Sequence, residues 1–180
     1  MSEVKVTVVI PAYNAEKTIR NCINSAVCQT LENIEVIVIN DGSTDGTYEI
    51  LKEYTWDRKV RIIDQKNQGV SVARNNGIRS AEGKYIFFLD SDDYIDDNVL
   101  HELYSYAEEH QLELVSCGHE EKYSTIYQGN DSIKQKFFTT SKNEVEYHFF
   151  DIFPKSSIAK LYKKEFIVKN DLMFPVDMDM

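Results

Sequence analysis

The chain reads as an α/β protein with a mainly parallel central sheet flanked by helices. Three observations predict this. Strand-like and helix-like segments alternate through the first two-thirds of the sequence. The strand-like runs are almost wholly apolar, as expected of strands covered on both faces. The polar stretches "PAYN", "NDGSTDG", "NQGVSVARNNG" and "DSDD" all fall where such a strand ends. Ligands of open parallel sheets bind beyond the carboxyl ends of the strands, so this agreement of position outweighs any one motif.

Lys5 to Ile10 ("KVTVVI") is rich in β-branched residues and stops at Pro11, which predicts a buried strand. Asn14 is placed to cap a helix from Ala15 to about Val27, with Ile19, Cys22, Ile23, Ala26 and Val27 on one face. Glu35 to Asn40 is the second strand, followed by the turn "DGSTDG" and a helix through Tyr48, Ile50, Leu51 and Tyr54. Val60 to Ile63 is the third strand. Gln68 and Gly69 open a third helix that runs to about Ala81, and Tyr85 to Leu89 is the fourth strand. Asp96 or Asp97 then caps a helix containing Val99, Leu100, Leu103, Tyr106 and Ala107, and Leu112 to Gly118 resumes as a strand. From about Glu120 the alternation fades. Tyr123, Ile126 and Tyr127 fit an antiparallel strand, Ser141 and Glu144 a capping box, and "KLYKKEFIVKN" a further helix.

At 180 residues the chain is long enough for one domain with a sizeable core. Its net charge of −10 disfavours generic binding to nucleic acid or anionic lipid. Lys155, Lys160, Lys163, Lys164 and Lys169 form a local exception, read as a solvated helix face, with a basic patch as the alternative. Cys22, Cys28 and Cys117 make no CxxC pair and an odd number, which argues for a reducing compartment and against a disulfide framework or zinc site. The apolar run after the N-terminus is too short for a signal peptide, and no stretch approaches the ~20 apolar residues that span a bilayer. A cytoplasmic protein is expected. Membrane contact, at the inner face, would come through a partner or through residues outside this sequence.

"YIFFLDSDDYID" joins an apolar strand to a dense carboxylate cluster. Asp90 and Asp92 are two residues apart, so in an extended segment both point the same way and can reach one ion. Hard oxygen ligands suit Mg²⁺ or Mn²⁺, which keep positions open for substrate phosphates. Capping of the next helix is the competing reading, but Asp96 and Asp97 already supply candidates for it. A calcium EF-hand in "DGSTDGTYEILK" fails because Lys52 stands where a bidentate Glu is required. A haloacid-dehalogenase-like phosphatase also carries Asp-x-Asp after an apolar strand. Here Tyr94 replaces its usual Thr or Val, and the motif follows the fourth strand rather than the first.

At the other strand ends each residue has two readings. Asp41 can accept from an imide N–H, with Gly42 letting the backbone approach a ring, or the segment is a plain turn. Tyr13 can stack on a base or pack as a rim tyrosine. Gly69 precedes a helix whose N-terminal amides favour an anion, and Arg74 can reach a diphosphate or form a surface salt bridge. No GxGxxG follows the first strand, so the nicotinamide-binding fingerprint is missing.

In order and spacing, "VTVVIPAYNAEKTIRNCINSAVCQT", "EVIVINDGSTDGT", "NQGVSVARNNGI" and "GKYIFFLDSDDYI" resemble the nucleotide-sugar-binding half of inverting family-2 glycosyltransferases. The resemblance covers Val6 to Val99 closely and runs on more loosely to Phe174. "AKLYKKEFI" is similar to a segment of bacterial polysaccharide-building members, although Ser157, Ile158 and Ala159 precede Lys160 where Trp-Asn often stands.

The resemblance implies a GT-A-type Rossmann-like sandwich over residues 1–180, with a nucleotide-binding core (1–118) and the start of an acceptor-side region (119–180). It implies a UDP-sugar donor, a saccharide or lipid-linked acceptor, and Mn²⁺ or Mg²⁺ as cofactor. Pro11, Ala12, Tyr13 and Asn14 would line the nucleoside pocket, with Asp41 and Gly42 at the uracil. Arg74 would lie near the diphosphate, Asp90 at the ribose or the metal side of the donor, Gln68, Gly69 and Ser91 among the nucleotide-binding residues, and Asp92, with Asp90, at the cation. One element of the pattern departs. The general base is expected as an Asp, often in a Glu-Asp pair, shortly after Phe174-Pro175, but here only Asp177 and Asp179 follow. The expectation is therefore a chain that keeps the donor site and stops before the base and acceptor platform. A nucleotide-sugar-binding piece with little transfer activity is the alternative.

Overall fold

The structure, a computed structural model, describes residues 3–116, 138–139 and 159–176. Among them, seven strands form one sheet in the order β3-β2-β1-β4-β7-β5-β6. The strands are β1 (Val6–Ala12), β2 (Ile34–Asp41), β3 (Val60–Gln65), β4 (Tyr85–Phe88), β5 (Leu114–Ser116), β6 (Phe138–Thr139) and β7 (Lys160–Lys163). The helices are α1 (Ile19–Val27), α2 (Thr47–Lys52), α3 (Val70–Ser80), α4 (Val99–Glu109) and α5 (Lys164–Lys169). β3, β2, β1 and β4 run parallel, whereas β7 is antiparallel to both β4 and β5, and β6 is antiparallel to β5.

Two-residue periodicity sorts the strand side chains into two layers. Val6, Val8 and Ile10 pack with Val36, Val38, Tyr85 and Phe87 against Ile19, Cys22 and Ile23 of α1 and Leu100 and Leu103 of α4. On the other face, Val9, Ile86 and Phe88 meet Ile78 of α3 and Ile167 of α5, while Ile37 and Ile39 meet Ala73. β1 and β4 are buried along their whole length, the reason they read as unbroken apolar runs.

Three expectations are corrected. The first helix starts at Ile19 rather than Ala15, after a turn, and Asn14 does not cap it. Asn14 adopts a left-handed φ of 51°, and its Oδ1 instead accepts from the Thr44 N–H at 2.8 Å, tying the β1 loop to the β2 loop. At α4 the N-cap position belongs to Asn98 rather than Asp96 or Asp97. The Asp96 carbonyl accepts from Val99 N, and Asn98 Nδ2 donates to Glu102. "KLYKKEFIVKN" is a strand followed by a helix, because Leu161 is buried between β4 and β5 while Tyr162 packs on Phe88 from the other face. Of the lysines read as a solvated helix face, Lys160 and Lys163 therefore belong to β7, whereas Lys164 and Lys169 do lie in α5, Lys169 exposed. Lys160 is 2% exposed in β7, and burial pushes its pKa down.

Cys22 and Cys28 are free thiols. Among the described residues no helix is long and apolar enough to cross a membrane. Cys117, Tyr123, Ile126, Tyr127, Ser141, Glu144, Lys155, Asp177 and Asp179 lie outside the described residues.

Candidate functional site

A cleft of about 520 Å³ opens at the carboxyl ends of β1, β2 and β4, lined by Pro11, Ala12, Tyr13, Asp41, Asn67, Gly69, Val70, Ala73, Arg74, Asp90, Ser91 and Asp92. A cavity of similar size, about 560 Å³, lies at the opposite end of β4 between Glu3, Gly83, Lys84, Lys163, Lys164 and Glu165. There Lys84 is matched by Glu108 and Lys163 by Glu165, whereas the first cleft collects polar groups from several strand ends, where parallel sheets bind their ligands.

β1 delivers buried Pro11 and Ala12, then Tyr13, which is half exposed (50%) at the cleft. β2 delivers Asp41, 3% exposed, which shapes the opposite wall. Its Oδ1 accepts from Gln65 Nε2 (2.8 Å) and the Gln68 N–H (2.9 Å), and its Oδ2 from the Gly69 N–H (2.8 Å). The next residue, Gly42, has φ 70°, and a Cβ there would stand 2.7 Å from Asn67 N, so only glycine lets the two loops close. β3 contributes support: Asp64 Oδ1 accepts from Asn40, and Gln65 Oε1 from Asn76 of α3.

Arg74, one turn into α3, donates from Nη2 to Asp90 Oδ1 at 2.6 Å, with side-chain exposures of 15% and 31%. Its Nε is buried and makes no hydrogen bond among the described residues. An orphaned buried donor is costly and calls for a partner, whether water, ion or ligand. After Asp90 the chain turns, with Asp93 N donating to the Asp90 carbonyl at 3.0 Å, and Asp92 is left exposed with no hydrogen bond among the described residues. Cys22 lies beneath this turn, its Sγ 3.4 Å from the Asp90 carbonyl, and desolvation, then the nearby aspartates, raise its pKa far above the ordinary thiol value. It is an inert wall.

Of the expected site residues, nine line the cleft and three do not. Asn14 is spent on Thr44, Gly42 on the close approach to Asn67, and Gln68 gives its backbone N–H to Asp41 while its side chain is exposed. Sequence reasoning missed Asn67, Val70 and Ala73. Val70 and Ala73 stand four and one residues before Arg74, and Val70 is an exposed apolar side chain in the first turn of α3, the one signal available.

Among the described residues no group of three or more His, Cys, Asp or Glu side chains is arranged to hold a cation. The cleft offers the free carboxylate of Asp92 and the second oxygen of Asp90. That donor set fits Mg²⁺ or Mn²⁺, which bind through one or two carboxylates and complete their shell with substrate phosphates and water.

Residues 7–168 match the family described as Glycosyl transferase family 2. The uncharacterized glycosyltransferase EpsJ of Bacillus subtilis is 45% identical over 114 residues, covering 63% of this chain and 33% of EpsJ. The putative glycosyltransferase EpsH of the same organism is 32% identical over 177 residues, covering 95% of this chain and 50% of EpsH. The crystal structure of Staphylococcus aureus TarS 1–349 in complex with UDP-GlcNAc superposes with a TM-score of 0.72 at 26% identity, over 95% of this chain and 48% of that one. The chain thus spans half or less of the length of these relatives.

Proposed function

The chain belongs to glycosyl transferase family 2, and on that premise we propose that it carries the donor site of an inverting, metal-assisted transferase. The donor is a UDP-sugar, the acceptor a saccharide or lipid-linked saccharide, and the product a cell-surface polysaccharide. The observation that carries this reading is the convergence of Tyr13, Asp41, Arg74, Asp90 and Asp92, from three strand ends and one helix, on a single cleft.

Each side chain has a physical task. The exposed ring of Tyr13 stacks on the base. Asp41 has three protein donors on its carboxylate, and a carboxylate accepts about four, so the imide N–H of uracil can take the remaining lone pair on Oδ2. Arg74, which lines the cleft, directs its guanidinium to the diphosphate. Asp92, with Asp90, would hold Mn²⁺ or Mg²⁺. Such a cation would supply Lewis-acid charge neutralisation for the leaving nucleoside diphosphate. Inversion further requires a carboxylate that deprotonates the acceptor hydroxyl. A lipid-linked acceptor would bring the site to the inner face of the membrane.

The phosphatase alternative expects its Asp-x-Asp after the first strand, whereas Asp90 and Asp92 follow β4, and Tyr94 stands where Thr or Val is usual.

Thermal unfolding with UDP, with and without Mn²⁺ and with CMP as control, tests the assignment. Saturation at ~100 times Kd adds roughly 2.7 kcal/mol, which is several degrees for a domain of this size. The expected result is a UDP shift that is larger with Mn²⁺ and exceeds that of CMP. Equal shifts with UDP and CMP, or none with UDP, would overturn the reading.

A further inference from the structure

Arg74 is held from two sides by parts of the chain that are far apart in sequence. Nη2 donates to Asp90 Oδ1 at 2.6 Å, and the guanidinium carbon stands 5.2 Å from the ring centroid of Phe174. Phe174 belongs to no helix or strand. What holds it is Asn75, the neighbour of Arg74 in α3, itself only 2% exposed. Asn75 Nδ2 donates to the Phe174 carbonyl at 2.9 Å, and the Phe174 N–H donates to Asn75 Oδ1 at 2.9 Å. One amide side chain thereby satisfies both main-chain groups of one residue, as a neighbouring strand would. The ring is steadied from the side by Phe88 of β4, edge to face at 5.2 Å and 84°.

This arrangement answers a mechanical problem. A single hydrogen bond at Nη2 leaves the guanidinium free to swing about that contact, and an arginine side chain loses much rotamer freedom when it binds. A ring against the guanidinium fixes the plane. The attraction of the cation for the ring quadrupole is strongest where water is excluded, and Arg74 is largely buried.

We propose that Phe174, locked by Asn75, is a positioning residue that presets the guanidinium plane of Arg74 for the diphosphate of a nucleotide donor. The inference rests on the donor-site reading above and goes beyond it. It makes a residue outside the donor-cleft lining, 100 positions further along the chain from Arg74, a determinant of diphosphate affinity.

The test compares calorimetric affinities for uridine and UDP at fixed Mn²⁺ on the full 180-residue chain. The readout is the UDP-to-uridine affinity ratio. Phe174→Leu keeps apolar volume against Phe88 but removes the aromatic ring, and it is expected to lower the ratio about fivefold while uridine affinity holds. Phe174→Tyr, which restores the ring, is expected to keep the ratio within about twofold of wild type. In an Arg74→Ala background, where the ratio is already low, Phe174→Leu should have no further effect. Phe174→Met supplies a second flexible apolar replacement should the leucine variant unfold. A wild-type ratio in the Leu and Met variants, an equal loss for uridine and UDP, or an undiminished effect without Arg74 would overturn the proposal. Wild-type protein that binds neither ligand would instead overturn the donor-site reading, and this inference with it.

Discussion

Asp41 and Gly69 are joined by a hydrogen bond of 2.8 Å from the Gly69 N–H to Asp41 Oδ2, so the carboxylate at the end of β2 builds the loop that opens α3. With Gln65 and the Gln68 N–H on Oδ1, the buried charge is offset by three N–H dipoles and not by a cation. The same residue faces the cleft. Its role in the scaffold and its proposed role in recognition can be separated only by substitutions that count hydrogen bonds.

Asp41→Ala leaves the backbone donors of Gln68 and Gly69 without their acceptor and is expected to cost about 2–4 kcal/mol in urea unfolding. Asp41→Asn keeps an oxygen for Gln65 and Gln68 but sets an amide NH₂ against the Gly69 N–H, for an expected loss of about 1–2 kcal/mol. An asparagine variant as unstable as the alanine one would mean that negative charge, and not acceptor geometry, holds the loop.

Asp90 and Asp92 should respond in opposite ways although they are two residues apart. Removal of Asp90 strips Arg74 of its ion-pair partner in a largely buried position, and Asp90→Ala is expected to cost about 1–3 kcal/mol. Asp92 is exposed and makes no hydrogen bond among the described residues, so Asp92→Ala should stay within about 0.5 kcal/mol of wild type. Its effect should fall on the Mn²⁺-dependent part of the UDP shift, which is expected to vanish. A UDP shift that keeps its Mn²⁺ dependence in Asp92→Ala would remove this carboxylate from the metal site.

Much of the fold was legible because covered parallel strands must be apolar throughout, and β2 and β4 end at or just before the first acid after the run, Asp41 and Asp90. β1, however, continues through Pro11 to Ala12, still paired with β2, instead of stopping at the proline as expected. Gly69 marked the start of α3 for the same local reason. The insertion of β7 between β4 and β5 left no such trace, since pairing partners 76 residues apart, such as Ile86 and Tyr162, carry no shared local pattern. Lys160 argued against a buried strand, and only burial of Leu161 in the core decides that segment. At the site, the clustering of motifs at strand ends was visible, but what each group touches was not. Asn14 reads as a cap and is a loop tie, and the pairing of Asn75 with Phe174 joins residues 99 positions apart.

Gly77 sets how closely α3 lies on the sheet. A Cβ at this position would fall inside the contact radius of Val9 Cγ1 on β1, a short branched side chain that cannot swing away. Gly77→Ala is therefore expected to destabilise by about 1–3 kcal/mol by overpacking, despite the better helix propensity of alanine. Val9→Ala alone should cost about 2–4 kcal/mol by opening a cavity. Combined, the two should cost clearly less than their sum, because the methyl of one fills space left by the other. Strict additivity in a double-mutant cycle would show that α3 shifts as a body instead.

At the other end of β4, Lys84 Nζ meets Glu108 Oε2 at 2.6 Å, and Tyr85 Oη donates to Glu108 Oε1 at 2.8 Å. The hydrogen bond from Lys84, aided by that from Tyr85, holds the Glu108 carboxyl below the ordinary carboxylate range against partial desolvation, and the same pairing raises Lys84. A carboxyl whose pKa is lower folded than unfolded adds stability above its unfolded value, about 4.3, and loses it as pH falls through the folded one. An amine raised on folding adds stability below its unfolded value, about 10.4, and loses it as pH rises through the folded one. The pair should therefore stabilise most between these limits. Both side chains are about one-third exposed, so solvent screening keeps the contribution under about 1 kcal/mol. Glu108→Gln retains an acceptor for Tyr85 while removing the charge. Wild type should be the more stable at pH 7 in urea titrations, with the gap closing below about pH 4 and narrowing again above about pH 10.5. A gap that is constant from pH 7 to pH 3 would mean that shape at this position, and not the charge of Glu108, anchors α4 to β4.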